Sequence, residues 1–233
     1  MQINKDELEK LGHGRAWQFF LSVHNAVNAM DIYKLYTIHY LKLKRGNLVD
    51  IIEGNVEIRE EEKLSFPPGD WLEIEGFNIS LAFLVWLNTY NFFQSSRNCF
   101  DYMAQIIAEF FPNDKLGLID FREIAKKMDS FENEALKGWI NNVNMSDLYK
   151  YIDDYCNTVK HNQYLPTRIT VQTSDLEMTG YIPAFKKQVK DDVHAYEETE
   201  ITEQMNSVRK FTVDTYQKLV AIIFPTSVAE GIT

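Results

Sequence analysis

Hydrophobic side chains recur every three or four positions along most of this chain, which is the spacing of residues on one face of an α-helix. The pattern is densest from Phe77 to Phe93, where almost every row of a helix would carry an aliphatic or aromatic side chain. A helix with that pattern is buried on several sides. The periodicity predicts long helices over residues 15–44, 77–111 and 199–224. Another helix is predicted to begin at residue 146 and to end before a break at 165–166, and two shorter amphipathic helices are predicted over 120–128 and 131–141.

Two segments replace the helical pattern with the alternation that is typical of β-strands. One or two short strands are predicted within residues 47–66, before the breaker Pro67-Pro68-Gly69. Alternation from Thr167 to Thr173, with a turn at Ser174-Asp175, predicts a hairpin whose second strand covers 178–185. The acidic run over 191–203 is interpreted as solvated surface. The predicted fold class is therefore all-α: a bundle of four to five main helices in a single domain over residues 1–225, with β embellishments at 47–68 and 167–187 and a loose tail at 226–233.

Composition supports a folded protein with an acidic surface. Of its 233 residues, 45% are hydrophobic and 13% aromatic, which is enough for a substantial core. The formal net charge is −10 at pH 7, and the pI is about 5.0. That balance argues against a constitutive, non-specific coat on nucleic acid and against binding to an anionic membrane, but it leaves room for a small basic site.

The cellular setting is predicted from the cysteines and from the absence of targeting patterns. Cys99 and Cys156 both lie in apolar helical context, where we expect reduced core residues. The N-terminal sequence has no basic segment followed by an apolar run, so it does not resemble a secretory signal. The most apolar stretch, 79–93, is interrupted by Asn88 and Asn91 and is short for a bilayer. We therefore expect a cytoplasmic protein without a membrane partner.

The helix that begins at Ser146 carries the strongest candidate chemistry. Asp154, Asn157 and His161 are spaced by three and four residues and share one face, with Lys160 on the next row. An imidazole can take a proton from a ribose hydroxyl, an amide can orient a phosphate, and a cation can stabilise developing charge. The competing interpretation is an ordinary polar helix end, in which Lys160 and His161 offset the helix macrodipole.

A second polar group lies on the preceding long helix, directly after its most apolar part. Arg97 and Asp101 are one helical turn apart, which favours an ion pair, and Asn98 lies beside them. A guanidinium held by a carboxylate presents a fixed fork to a phosphate. An exposed pair of this kind would instead contribute little to stability, and both interpretations remain open.

The residues from Asp154 to His161, DYCNTVKH, resemble the end of the signature helix of the HEPN superfamily (higher eukaryotes and prokaryotes nucleotide-binding domains). The resemblance is closest to members whose helix ends in Asn, two residues and Lys-His, and it covers mainly residues 79–166. It implies an all-α bundle that forms a homodimer where two signature helices meet. It also implies either a metal-independent endoribonuclease of bacterial stress or phage-defence systems or a non-catalytic RNA- or nucleotide-binding module.

One position departs from the family's nuclease pattern, which has an Arg four to six residues before the His and a polar residue after that Arg. Cys156 stands where the Arg is expected, and Asn157 matches the polar position. The resemblance implies His161 as acid/base, Asn157 as orienting group and Lys160 or Arg97 as phosphate ligand, with Asn98, Asp101 and Asp154 lining the site. No metal and no cofactor are expected. RNA cleavage, non-catalytic binding of RNA or nucleotide, and a role as a dimerisation or protein-interaction module all stay open.

Overall fold

The computed structural model describes residues 5–42, 63–65, 71–74, 77–112, 120–161, 165–172, 177–190 and 192–225. Most of these residues are helical, which confirms the prediction of a mainly α-helical protein. A short 3₁₀ turn, Met128–Ser130, follows the fourth helix. In chain order the α-helices are α1 (Lys5–Lys10), α2 (Ala16–Lys42), α3 (Leu81–Phe110), α4 (Phe121–Lys126), α5 (Glu134–Met145), α6 (Asp147–His161) and α7 (Ile201–Ile223).

The strands of the described residues pair only in antiparallel fashion. They are β1 (Lys63–Ser65), β2 (Trp71–Ile74), β3 (Phe77–Ser80), β4 (Arg168–Gln172), β5 (Met178–Ile182), β6 (Phe185–Val189), β7 (Asp192–Tyr196) and β8 (Thr199–Glu200). One sheet has the order β1-β4-β5-β8, while β2-β3 and β6-β7 are separate two-stranded ladders.

The long helices and the β4–β5 hairpin confirm the sequence predictions, and three segments differ. Residues 77–80 form a strand instead of the first turn of α3, because they pair along their whole length with β2. The segment interpreted as solvated acidic surface contains β7 and β8. The predicted strand over 178–185 is divided at Pro183, which has no N–H to donate to a ladder. Most of the 47–68 embellishment and the 226–233 tail lie outside the described residues.

The chain divides into two compact units that share four helices. The helical unit comprises Met1–Met30, Gln94–Asp153 and Ser207–Thr233, and the described residues within it form no strand. The mixed unit comprises Asp31–Phe93 and Asp154–Asn206, and it contains all eight of the described strands. Helices α2, α3, α6 and α7 each contribute residues to both units.

Aromatic side chains form the core of the helical unit. The rings of Phe100 and Phe121 lie 5.1 Å and 4.8 Å from that of Tyr149, both edge to face, which is the arrangement that aromatic quadrupoles prefer. Trp139 packs against Phe121, and its indole N–H donates to the carbonyl oxygen of Thr215 at 3.0 Å. Helices α3, α4, α5, α6 and α7 therefore meet at one aromatic cluster.

Both cysteines are buried and neither forms a disulfide, which confirms the prediction of reduced core residues. Cys99 belongs to the helical unit and Cys156 to the mixed unit. Burial raises the pKa of the Cys99 thiol to about 12, because the apolar surroundings disfavour the thiolate. Neither cysteine therefore has the exposure that a reactive thiolate needs.

The sheet of the mixed unit packs closely at Gly180 in β5. A Cβ atom at Gly180 would lie 2.8 Å from Cδ1 of Ile201 and 3.5 Å from Cδ2 of Leu41, and both of these side chains are buried. A residue without a side chain lets α2 and α7 approach the strand at this point.

We predict that Gly180→Val destabilises the protein by about 1–3 kcal/mol, because the added methyl groups overpack a filled site. The free energy of unfolding would be measured by urea denaturation. Ala184→Val places the same side chain at an exposed position two residues beyond β5 and serves as the control. Equal stability of the two variants would contradict the close packing at Gly180.

Candidate functional site

Helix α6 carries the polar face that was predicted from the sequence, and this face is buried at Asp154 and Asn157 but exposed at the C-terminal end of the helix. Asp154 and Asn157 are only 6% and 8% exposed, whereas Lys160 and His161 at the C-terminal end are exposed. The two basic residues occupy the last turn, where a positive charge interacts favourably with the helix macrodipole. The buried end of this face therefore has different chemistry from its exposed end.

The buried carboxylate of Asp154 is bound by two side chains from β7. Its Oδ2 atom lies 2.6 Å from Nδ1 of His194 and accepts a hydrogen bond from the hydroxyl of Tyr196 at 2.7 Å. All three residues belong to the mixed unit. Two donors on one oxygen fit an ionised carboxylate, which has acceptor capacity only. The arrangement satisfies a charge that would be costly to bury alone.

The β6–β7 hairpin holds His194 and Tyr196 against α6. Phe185 is the cross-strand partner of Tyr196, and their rings stack with centroids 4.7 Å apart. Phe185 also meets the ring of Tyr155 edge to face at 5.9 Å, and Tyr155 lies 4.7 Å from Phe93. This buried aromatic column fixes the hairpin, so the position of His194 is set by packing as well as by its hydrogen bond.

The arrangement is suited to proton transfer by His194. A carboxylate beside Nδ1 makes that nitrogen the proton-bearing one in the neutral imidazole, and this leaves the lone pair on Nε2. The imidazole side chain is 29% exposed, whereas Asp154 is almost wholly buried. A carboxylate that fixes the tautomer and orientation of an imidazole is the arrangement of a general base.

His194 and Tyr196 were not predicted as site residues. Asp154 was predicted to line the site, but its two partners follow 40 and 42 positions later in a segment interpreted as solvated surface. The available signal was the alternation Phe185, Lys187, Val189 and its continuation into residues 192–196. The acidic residues from 191 onward instead favoured the interpretation as solvated surface.

The predicted residues on α3 have partners within the helical unit. Nε of Arg97 lies 3.5 Å from Oδ1 of Asp153, and the Asp101 carboxylate accepts from the backbone N–H of Phe121 at 3.2 Å. The side-chain amide of Asn98 accepts from Gln94 at 3.0 Å. Arg97 therefore contacts α6 and Asp101 contacts the start of α4, and the charge of Arg97 also acts to lower the pKa of Asp101. The convergence of Arg97 with the residues of the mixed unit remains a prediction.

A second carboxylate of α6 serves as an ion-pair partner in the helical unit. Asp153 Oδ2 accepts hydrogen bonds from Nε and Nη2 of Arg122 at 3.1 Å and 2.5 Å, in addition to its pairing with Arg97. Burial raises the pKa of the nearby Tyr149 phenol, and the charges of Asp153 and Asp101 act in the same direction. Asp153 and Asp154 are thus adjacent in sequence but have different partners.

Comparisons with protein-family models, with curated protein sequences and with solved structures find no match to this chain. None of the helices in the described part of the chain combines the length and the apolar character that a bilayer crossing requires. Within those same residues, no group of three or more His, Cys, Asp or Glu side chains is placed to hold a metal ion.

Burial of Asp101 makes the stability of the protein depend on pH. Burial raises the pKa of this carboxyl above its usual value of 3.8, against the lowering effects of the Phe121 N–H and of Arg97. The folded state then holds the proton more tightly than the unfolded state, so the stabilisation is complete below pH 3.8 and is lost as the pH rises through the folded-state pKa.

We predict that Asp101→Asn gains stability relative to the wild type as the pH rises from about 4 to about 7. The amide oxygen still accepts from Phe121, but the substitution removes the carboxylate whose ionisation is disfavoured. Urea denaturation at each pH measures the difference in free energy of unfolding. Asp129→Asn removes an exposed carboxylate of the same unit and controls for net charge. A stability advantage of Asp101→Asn over the wild type that decreases with rising pH would contradict the raised pKa of Asp101.

Proposed function

We propose that the protein acts on RNA and that His194, held by Asp154, is the acid/base group of a metal-independent endoribonuclease site. The observation that carries the proposal is the 2.6 Å contact between His194 Nδ1 and the buried Asp154 carboxylate, with the imidazole part-exposed. The resemblance of α6 to the HEPN signature helix supports RNA as the substrate, because Asp154 lies on that helix.

The reaction that suits this geometry is attack of a ribose 2′-hydroxyl on the adjacent phosphorus. Nε2 of His194 accepts the hydroxyl proton as the new O–P bond forms, and the bond to the 5′-oxygen breaks. A second donor returns a proton to the leaving oxygen. The products are a 2′,3′-cyclic phosphate and a 5′-hydroxyl end, and no redox partner is needed.

His161 and Lys160 keep their proposed roles at the exposed end of α6. His161 is the candidate donor to the leaving oxygen, and Lys160 is a candidate phosphate ligand. Residues 154–158 are all buried, so the exposed surface of the C-terminal half of α6 is concentrated at Lys160 and His161. A homodimer contact through this helix would therefore involve its C-terminal end.

A non-catalytic role for the same cluster is favoured by the second donor to Asp154. The Tyr196 hydroxyl joins His194 on the same oxygen, and together they tie β7 to α6. If the cluster only held β7 against α6, it would not catalyse cleavage, and the mixed unit would bind RNA or a nucleotide without cleaving it. Cleavage assays separate the two functions.

We predict that the purified protein cleaves single-stranded RNA in the presence of EDTA and leaves 2′,3′-cyclic phosphate ends. His194→Ala is expected to lower the cleavage rate about a hundredfold or more, because it removes the proton acceptor. Asp154→Asn is expected to lower it similarly, because the imidazole loses the partner that fixes its tautomer. Rates would be measured from labelled RNA on denaturing gels.

His24→Ala removes an exposed histidine of α2 in the helical unit and serves as the matched control. Urea denaturation of each variant distinguishes a defect in chemistry from a defect in folding. If wild-type protein leaves RNA intact in EDTA at every pH tried, the enzymatic proposal fails. If His194→Ala cleaves as fast as the wild type, the acid/base group lies elsewhere.

A further inference from the structure

The β6–β7 hairpin that carries His194 also carries a local group of lysines. Lys186 and Lys190 are exposed and Lys187 is half-buried, while the chain as a whole has a formal net charge of −10. In the described part of the hairpin the acidic residue is Asp192, whose carboxylate accepts from the neighbouring Val193 N–H at 2.8 Å. In sequence, residues 185–196 carry three lysines and two aspartates, so a small net positive charge adjoins the imidazole in an otherwise acidic protein.

The register of the hairpin places one lysine directly across from the imidazole. Lys187 and His194 are Cα partners in the β6–β7 ladder, so their side chains leave the same face. Directly opposed residues of an antiparallel pair have Cβ atoms about 4.5–5.5 Å apart. An anionic group at the exposed edge of His194 would therefore be within reach of the Lys187 ammonium group.

The turn of the hairpin has an unfavourable residue at a critical position. Lys190 has φ of 54°, in the left-handed region that asparagine, aspartate and glycine tolerate better than lysine does. The last ladder pair is Val189 with Asp192, so the loop between them has two residues, and Asn-Gly is the favoured sequence for such loops. The Gln188 side chain donates to the Lys190 carbonyl at 2.7 Å and holds the turn.

A strained backbone residue indicates a function when its side chain has no structural reason to be there. The Lys190 side chain is exposed, and its φ would be adopted more easily by Asn. Packing therefore does not explain a lysine at this position. Its charge, at the tip of the arm that bears His194, does explain it.

We propose that the β6–β7 hairpin is an RNA-backbone-binding arm in which Lys187 and Lys190 bind phosphates of a single strand that passes His194. The inference deepens the proposed function and rests on it for the choice of RNA. Phosphate contacts of this kind position a strand without reading its sequence, so the arm binds single-stranded RNA with little base preference.

Binding would be measured separately from cleavage with a fluorescein-labelled, single-stranded 2′-O-methyl RNA, which lacks the nucleophilic hydroxyl. Fluorescence anisotropy over a series of salt concentrations gives both the affinity and its salt dependence. Lys190→Asn relieves the left-handed strain and removes the charge in one substitution. Lys190→Arg keeps the charge, and Lys187→Gln removes the second cation.

We predict that Lys190→Asn raises the urea midpoint of unfolding while weakening RNA binding about two- to fivefold. The slope of log affinity against log salt is expected to fall by about 0.7 for each phosphate that the variant no longer binds. Lys187→Gln is expected to show the same decrease in slope, and Lys190→Arg is expected to bind like the wild type. Lys218→Gln, at an exposed position on α7 in the helical unit, controls for net charge.

A Lys190→Asn variant that is more stable but binds with unchanged affinity and slope would overturn the inference. So would an equal decrease of affinity in the Lys218→Gln control. Lysine-dependent binding without any cleavage would support the arm while refuting the catalytic proposal. RNA cleavage that neither lysine substitution changes would support the catalytic proposal while refuting the arm.

Discussion

One buried carboxylate determines how the mixed unit is assembled around its candidate site. Asp154 is 6% exposed, and its charge is tolerated because an imidazole and a phenol bind the same oxygen. Hydrogen bonds to charged groups contribute about 1.5–3 kcal/mol each, whereas a buried unsatisfied charge costs at least as much. Both donors lie on β7, so burial of Asp154 requires that strand to lie against α6. The hairpin and the helix are therefore coupled by electrostatics as well as by the ring of Phe185.

Asp153, one residue earlier on α6, shows a different solution to the same problem. It pairs with the guanidinium groups of Arg97 and Arg122, whose charges are permanent near neutral pH. Asp154 is instead matched with a titratable imidazole and a neutral hydroxyl. Arginine would have satisfied Asp154 more durably if stability were the only requirement. The choice of histidine at a part-exposed position is therefore the feature of the cluster that points to proton transfer.

The helices could be predicted from sequence because their signal is local. Apolar periodicity extended over almost the whole of α2, α3 and α7, and the polar end of α6 identified that helix as a candidate site. The contact between Asp154 and His194 could not be predicted in that way, because it joins residues 40 positions apart across two kinds of secondary structure. Acidic residues obscured the strand pattern of β7, since a solvated surface and a half-buried strand both place polar residues along the chain. Of the site, the sequence therefore identified the helix and its carboxylate but not the imidazole.

Lys187 and Lys190 link the fold of the hairpin to its proposed role. A two-residue loop that closes β6 onto β7 requires left-handed backbone, and Asn-Gly would supply it with less strain. The hairpin remains closed around Lys190 because its other end is fixed by Asp154 and by the stacked rings of Phe185 and Tyr196. The contacts at the fixed end of the hairpin therefore offset the backbone strain at Lys190, so that a lysine is tolerated where the turn alone would disfavour it. A hairpin needed only to cover α6 would have no reason to accept that cost, whereas an arm that holds a polyanion beside an imidazole would.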